Sequence, residues 1–250
     1  MNASSKRASS HPPPQPEARL VVVSNRVADR GESQSGGLAT ALQAALAGRG
    51  GIWFGWSGHS VERAEDCQLH RCRRGAVDYA TLDLTHADRD AYYSGFANQV
   101  LWPLFHYRPD RVDFQREHYA GYRRVNRLLA ERLVTLIEPD DLIWIHDYHL
   151  MPLAAELRAL GVYNRIGFFL HTPLPAAELM RSLPCHRELM DCLRACDLIG
   201  LQSEPDLHAL KEYFSQADQE DASASGAAAS NVAASDVALS GFTTPTRAAR

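Results

Sequence analysis

At 250 residues the chain has room for one large domain or two small ones, and its 45% hydrophobic content is that of an ordinary globular protein. A formal charge of -4 lends no support to a polyanionic partner, so nucleic acid is set aside. No apolar run is long enough to span a membrane. Cys67, Cys72, Cys185, Cys192 and Cys196 are odd in number and follow neither a disulfide framework nor a zinc spacing, which suits a reducing, cytoplasmic setting.

Residues 1–18 hold Ser, Pro and a few charges without the apolar stretch of a signal peptide, and read as a disordered leader. Residues 20–24 (Leu-Val-Val-Val-Ser) are then a continuous apolar run, the pattern of a strand buried on both faces of a parallel sheet. Similar runs stand at 52–54, 142–145, 166–170 and 198–201. Helical segments separate them. One covers 38–46 behind Gly36 and Gly37, and Thr85 with Asp88 three residues on marks a helix start. A long one covers 114–137, with Tyr122, Val125, Leu129, Leu133 and Leu136 at helical spacing and Pro139 at its end. Shorter helices follow at 152–160, closed by Gly161, and at 188–195 and 205–214.

Strands alternating with helices of this length predict an α/β chain with a Rossmann-like parallel sheet over residues 19–216. Residues 217–250 are Ala, Ser, Gly, Asp and Thr with few large apolar side chains. Such a tail buries too little surface to offset chain entropy and is expected to be disordered. Arginines cluster at 71–74 and 108–132, but acidic residues interrupt them, so they read as solvated surface.

Open parallel sheets bind ligands beyond the carboxyl ends of their strands. There the sequence places Asn25 and Arg26, then His146, Asp147, Tyr148 and His149, then His171 and Thr172, and last Gln202. Gly36 and Gly37 ahead of a helix are either a plain turn or an anion site, and a guanidinium at Arg26 on the same edge favours the anion. The spacing is not that of a dinucleotide-binding loop. Three readings stand for the histidines: metal ligands, a loop orienting Asp147 toward sugar hydroxyls, or satisfied core side chains. Tyr92, Tyr93, Phe96, Trp102, Phe105 and Tyr107 are core aromatics or the wall of a carbohydrate pocket.

The motifs Leu20 to Arg26, Gly36-Gly37-Leu38, Trp53-Phe54-Gly55-Trp56-Ser57-Gly58, Leu101 to Tyr107, Ile143 to Leu150 and Arg165 to Pro173 occur in this order. Together they resemble the N-terminal half of the trehalose-6-phosphate synthases, retaining glycosyltransferases of family 20 with the two-lobed GT-B fold. The resemblance implies transfer of glucose from UDP-glucose to glucose 6-phosphate, giving trehalose 6-phosphate and UDP. It implies no cofactor or metal, and a homo-oligomer at full length. It assigns the acceptor phosphate to Arg26, and the acceptor sugar to Tyr93, Trp102 and Asp147. The donor diphosphate falls to the backbone of Gly36 and Gly37, and the transferred glucose to His171. Asp147, His171 and Thr172 lie around the reaction centre, with Asp147 positioning the acceptor rather than attacking carbon. The family's C-terminal donor-binding lobe is absent from the sequence. That leaves two alternatives open: a catalytically silent sugar-phosphate-binding or regulatory module, and, with less support, a metal-dependent hydrolase.

Overall fold

Val21, Val22 and Val23 are fully buried, as a strand flanked by other strands and covered on both faces must be. They belong to β1 (Leu20–Arg26), which pairs in parallel with β2 (Gly51–Val61) on one side and β5 (Leu142–His146) on the other. The computed structural model describes residues 18–27, 37–224 and 238–241. Beyond β5 the sheet continues in parallel through β6 (Arg165–Phe169), β7 (Leu198–Leu201) and β8 (Ala238–Gly241). Beyond β2 it continues through β4 (Val77–Thr85) to β3 (Leu69–Arg74), and the β3–β4 pair is antiparallel. The strand order is therefore β3-β4-β2-β1-β5-β6-β7-β8, and the chain reverses direction across the sheet between β1 and β5. This is the Rossmann-like α/β lobe that the alternating runs predict, and the reversal creates the crevice where such sheets take ligands.

The helices cover both faces. α1 (Gly37–Arg49) buries Leu42 and Leu46 against a cluster containing Val22, Trp53 and Val77. On the opposite face α4 (Arg116–Val134) buries Tyr122, Val125, Leu129 and Leu133, the stripe legible in the sequence. Between them runs one continuous helical stretch, made of α2 (His86–Arg89), a π-geometry segment (Asp90–Leu101) and α3 (Trp102–Phe105). Its start is the expected one, since the Thr85 hydroxyl accepts from the Asp88 N–H at 3.0 Å. α5 (Leu153–Ala159), α6 (Ala177–Arg181) and α7 (His186–Asp191) complete the shell.

Two differences from the sequence reading have physical causes. β3 and β4 are absent from it because β3 is exposed along nearly its whole length and β4 mixes Asp78, Thr81 and Asp83 into its apolar positions. α8 (Glu204–Ala224) runs past the boundary that composition sets at residue 216. Ala217 is fully buried, and ion pairs Arg181–Glu220, Arg187–Asp221 and Arg194–Asp218 tie the last turns to α6, α7 and the segment after α7. β8 also lies in the stretch that reads as featureless. Residues 1–17 and 225–237, on which the expected leader and most of the tail fall, are outside the described residues, as are 242–250.

Candidate active site

β5 and β6 end together, with His146 paired to Phe169, so the residues after them emerge side by side. The chain leaves β5 at Asp147 with φ 76° and ψ 165°, a region almost reserved for glycine. Four hydrogen bonds hold it there. Its N–H donates to the Phe169 carbonyl at 2.8 Å, and its carbonyl accepts from the Leu150 N–H at 3.0 Å. Its Oδ1 accepts from the N–H groups of Tyr148 at 3.1 Å and His171 at 3.3 Å. Among the described residues Oδ2 takes no hydrogen bond, which leaves it for a ligand. Burial raises the Asp147 carboxyl to about 6, against the opposing pull of those two backbone donors.

The three histidines differ. His146 and His171 project from the same face of adjacent strand ends, and His146 Nδ1 lies 2.9 Å from His171 Nε2. Burial lowers His146 to about 3, with the neighbouring His171 adding to the shift, and lowers His171 to about 4, so both are neutral at pH 7. His149 is buried with both ring nitrogens unpartnered, lies flat on Tyr93 at 5.7 Å between centroids, and is pushed down to about 3 by burial. It serves the core that backs Tyr93, while His146 pairs with His171. Among the described residues no three His, Cys, Asp or Glu side chains are grouped to hold a metal ion. The His171 carbonyl accepts from the Gln202 amide, which fixes the loop after β6 to the end of β7. Thr172, the next residue, is buried with its hydroxyl unpartnered.

A wall of aromatic rings joins this corner to β1 and β2. Trp56 meets Tyr93 at 5.8 Å, Tyr148 stacks on His149 at 4.1 Å, and Trp102 lies 6.1 Å from Tyr148. Trp102 is 46% exposed, unusual for a tryptophan on a core helix, and Tyr93 is half-buried. Tyr93 and Trp102 are therefore partly exposed members of the aromatic segment, while Tyr92, Phe96 and Phe105 are core. The π geometry accounts for the split. Its wider turn shifts the angular position of each side chain, so that neighbouring Tyr92 and Tyr93 serve core and wall. The Tyr92 hydroxyl donates to Asn25 Oδ1 at 2.8 Å and secures the end of β1 beside the wall.

Arg26 stands at the end of β1, paired in register with Trp56 across a bulge. Its guanidinium packs on Gly58, where an added Cβ would sit 2.7 Å from Nε and 2.9 Å from Cζ. Gly58 has φ +90°, a conformation that favours glycine, and any side chain there would displace the Arg26 guanidinium. Asn25 and Gln202, expected at the strand ends, and Trp56 and Gly58 of the motif at 53–58 complete the site without a role assigned to them in the sequence. Trp56 and Gly58 were legible as the continuation of the strand at 52–54, which extends to Val61. Gly37 opens α1, and Gly36 lies outside the described residues.

Residues 14–220 match the model of glycosyltransferase family 20. The chain belongs to that family. Among its family 20 relatives, the trehalose-6-phosphate synthase of Klebsiella pneumoniae is 54% identical over 192 residues, covering 76% of this chain and 40% of the relative. That of Sinorhizobium fredii is 48% identical over 213 residues, covering 84% and 46%. A solved α,α-trehalose-phosphate synthase from Burkholderia xenovorans, in complex with glucose-6-phosphate, superposes with a TM-score of 0.76 at 49% identity over 80% of this chain and 43% of that one. The Escherichia coli enzyme bound with UDP-2-fluoro glucose gives 0.74 at 48% identity, over 80% and 43%. The chain thus spans about two fifths of the length of these family 20 relatives.

Proposed function

We propose that this chain supplies the acceptor-binding lobe of an α,α-trehalose-phosphate synthase, which transfers glucose from UDP-glucose to glucose 6-phosphate with retention. Arg26 binds the acceptor phosphate, Tyr93 and Trp102 hold the sugar faces, and Asp147 accepts from its hydroxyls. The observation that carries the reading is Asp147 itself. A carboxylate fixed in a costly backbone conformation, with Oδ2 left open at the mouth of an aromatic wall, suits a sugar polyol. Relatives of about half identity solved with glucose-6-phosphate and with a UDP-glucose analogue support the substrate pair.

In the transfer, the bond from C1 of glucose to the diphosphate oxygen breaks and a bond from C1 to the acceptor's anomeric hydroxyl forms on the same face. That hydroxyl's proton passes to the departing diphosphate. The protein's part is orientation and electrostatic support of the developing positive charge. His171 and Thr172 lie on the donor side of Asp147, and the family resemblance gives the donor diphosphate to Gly36 and Gly37, of which Gly37, the first residue of α1, is described. Five free cysteines, and the absence of any helix long and apolar enough to cross a membrane among the described residues, fit a cytoplasmic enzyme.

Trp102 provides the readout. Titration with glucose 6-phosphate is expected to change tryptophan fluorescence saturably, and Asp147→Ala to abolish the change. A response to glucose 1-phosphate as strong as that to glucose 6-phosphate would sink the assignment.

A further inference from the structure

Next to Arg26 lies a set of polar side chains that the proposed chemistry does not use. The ladder between β2 and β4 is interrupted between Trp56 and Ser60, so residues 57–59 bulge out of the sheet at its carboxyl edge. Bulged backbone loses its ladder partners and must be held some other way. Here the Trp56 indole N–H donates to the His59 carbonyl at 2.8 Å, and the His59 N–H donates to Ser57 Oγ at 3.0 Å. The Ser57 hydroxyl in turn donates to Asp83 Oδ1 at 2.6 Å. Asp83 lies on β4, only 7% exposed, and its other oxygen, Oδ2, is 2.8 Å from His70 Nε2 on the edge strand β3. A carboxylate accepts only, so the Ser57 proton points to Asp83 and its lone pairs face the His59 N–H. One carboxylate thereby sets the conformation of the whole bulge.

The middle residue of that bulge is Gly58, and the Arg26 guanidinium packs on it. We propose that Ser57 and Asp83 are positioning residues for acceptor-phosphate recognition: by fixing the bulge they present Gly58 as the platform that aims Arg26. The inference rests on Arg26 being the phosphate ligand. A guanidinium aimed by packing loses less rotamer freedom when it pairs with a phosphate than one that must be ordered on binding. Such a device selects phosphorylated over unphosphorylated sugar and leaves the sugar contacts at Tyr93, Trp102 and Asp147 alone.

The test is calorimetric titration of the chain with glucose 6-phosphate and with glucose, reading the ratio of the two affinities. Arg26→Ala is the control for the underlying reading: if the wild-type ratio survives it, the phosphate is bound elsewhere and both the reading and this inference fall. If Arg26→Ala collapses the ratio, Ser57→Ala is expected to lower it about tenfold through glucose 6-phosphate alone. Asp83→Ala should match it, while Ser57→Thr, which keeps the hydroxyl, restores the ratio. An unchanged ratio in Ser57→Ala, equal loss for both sugars, or no rescue by threonine would overturn the positioning role while leaving the Arg26 assignment standing. Ser57→Ala removes one oxygen from a half-buried site, so the result is read on folded protein even if Asp83→Ala proves unstable.

Discussion

Asp147 combines two costs in one residue: a backbone conformation worth roughly 1–3 kcal/mol of strain and a carboxyl raised to about 6 by burial. The folded state binds its proton more tightly than the unfolded state, so stability falls as pH rises from the ordinary carboxylate value to about 6 and is level above it. Asp147→Asn keeps an Oδ1 acceptor for Tyr148 and His171 but cannot ionise. It is therefore expected to raise stability at pH 7.5 by about 1–3 kcal/mol, an advantage that fades below pH 4; denaturant midpoints of both proteins at the two pH values check this. Sugar hydroxyls need the ionised acceptor, so glucose affinity should climb as pH rises through about 6. Glucose is the right probe because it carries no titrating phosphate. The residue types at this corner were legible in the sequence, since a polar cluster directly after an apolar run marks a strand end. The strain at Asp147 and the pairing of His146 with His171 were not, because both depend on β5 and β6 ending in register.

Among the elements, the helical stretch from His86 to Phe105 carries the aromatic wall, and its seat on α4 determines where Tyr93 and Trp102 point. The closest approach is at Gly121, where an added Cβ would lie 2.3 Å from the Ala91 Cβ. Gly121→Val must push the two helices apart and is expected to cost about 1–3 kcal/mol, read from the urea midpoint. Because the shift moves Tyr93, the same variant should weaken glucose binding although it lies outside the site. α4 was predictable from its apolar spacing, and α1 from its Ala and Leu content. The π geometry of Asp90–Leu101 was not, since buried positions recurring at 92, 96–97 and 100–101 read in sequence like the face of an ordinary helix. Edge strand β3 escaped for the opposite reason: with one side open to solvent, it has no buried face to impress a pattern on the sequence.

For the molecule as a whole, three neutral histidines gather at the carboxyl edge of the sheet, His146 and His149 buried and His171 partly so, lowered to about 3, 3 and 4. Each binds a proton more readily in the unfolded chain, so their contribution to stability is complete above about pH 6.5 and is lost as pH falls toward those values. Asp147 works in the opposite sense, but it is one group against three. Stability is expected to drop steeply between pH 6.5 and 4, at up to about 1.4 kcal/mol per pH unit for each histidine, and His149→Phe should flatten the profile measured by thermal unfolding. The lobe's α/β class followed from alternation alone, whereas the extent of α8 did not. Its last turns are held by ion pairs to α6, α7 and the segment after α7 rather than by an apolar stripe.

The central claim is that a sugar phosphate lies across the carboxyl edge of this sheet with its phosphate on Arg26. Calorimetry of wild type and Arg26→Ala with glucose 6-phosphate and glucose tests it most directly. The account predicts that the substitution weakens glucose 6-phosphate by about 1.5–3 kcal/mol, the worth of a charge-assisted contact, and leaves glucose almost untouched. Equal weakening of both sugars, or none of either, would contradict it.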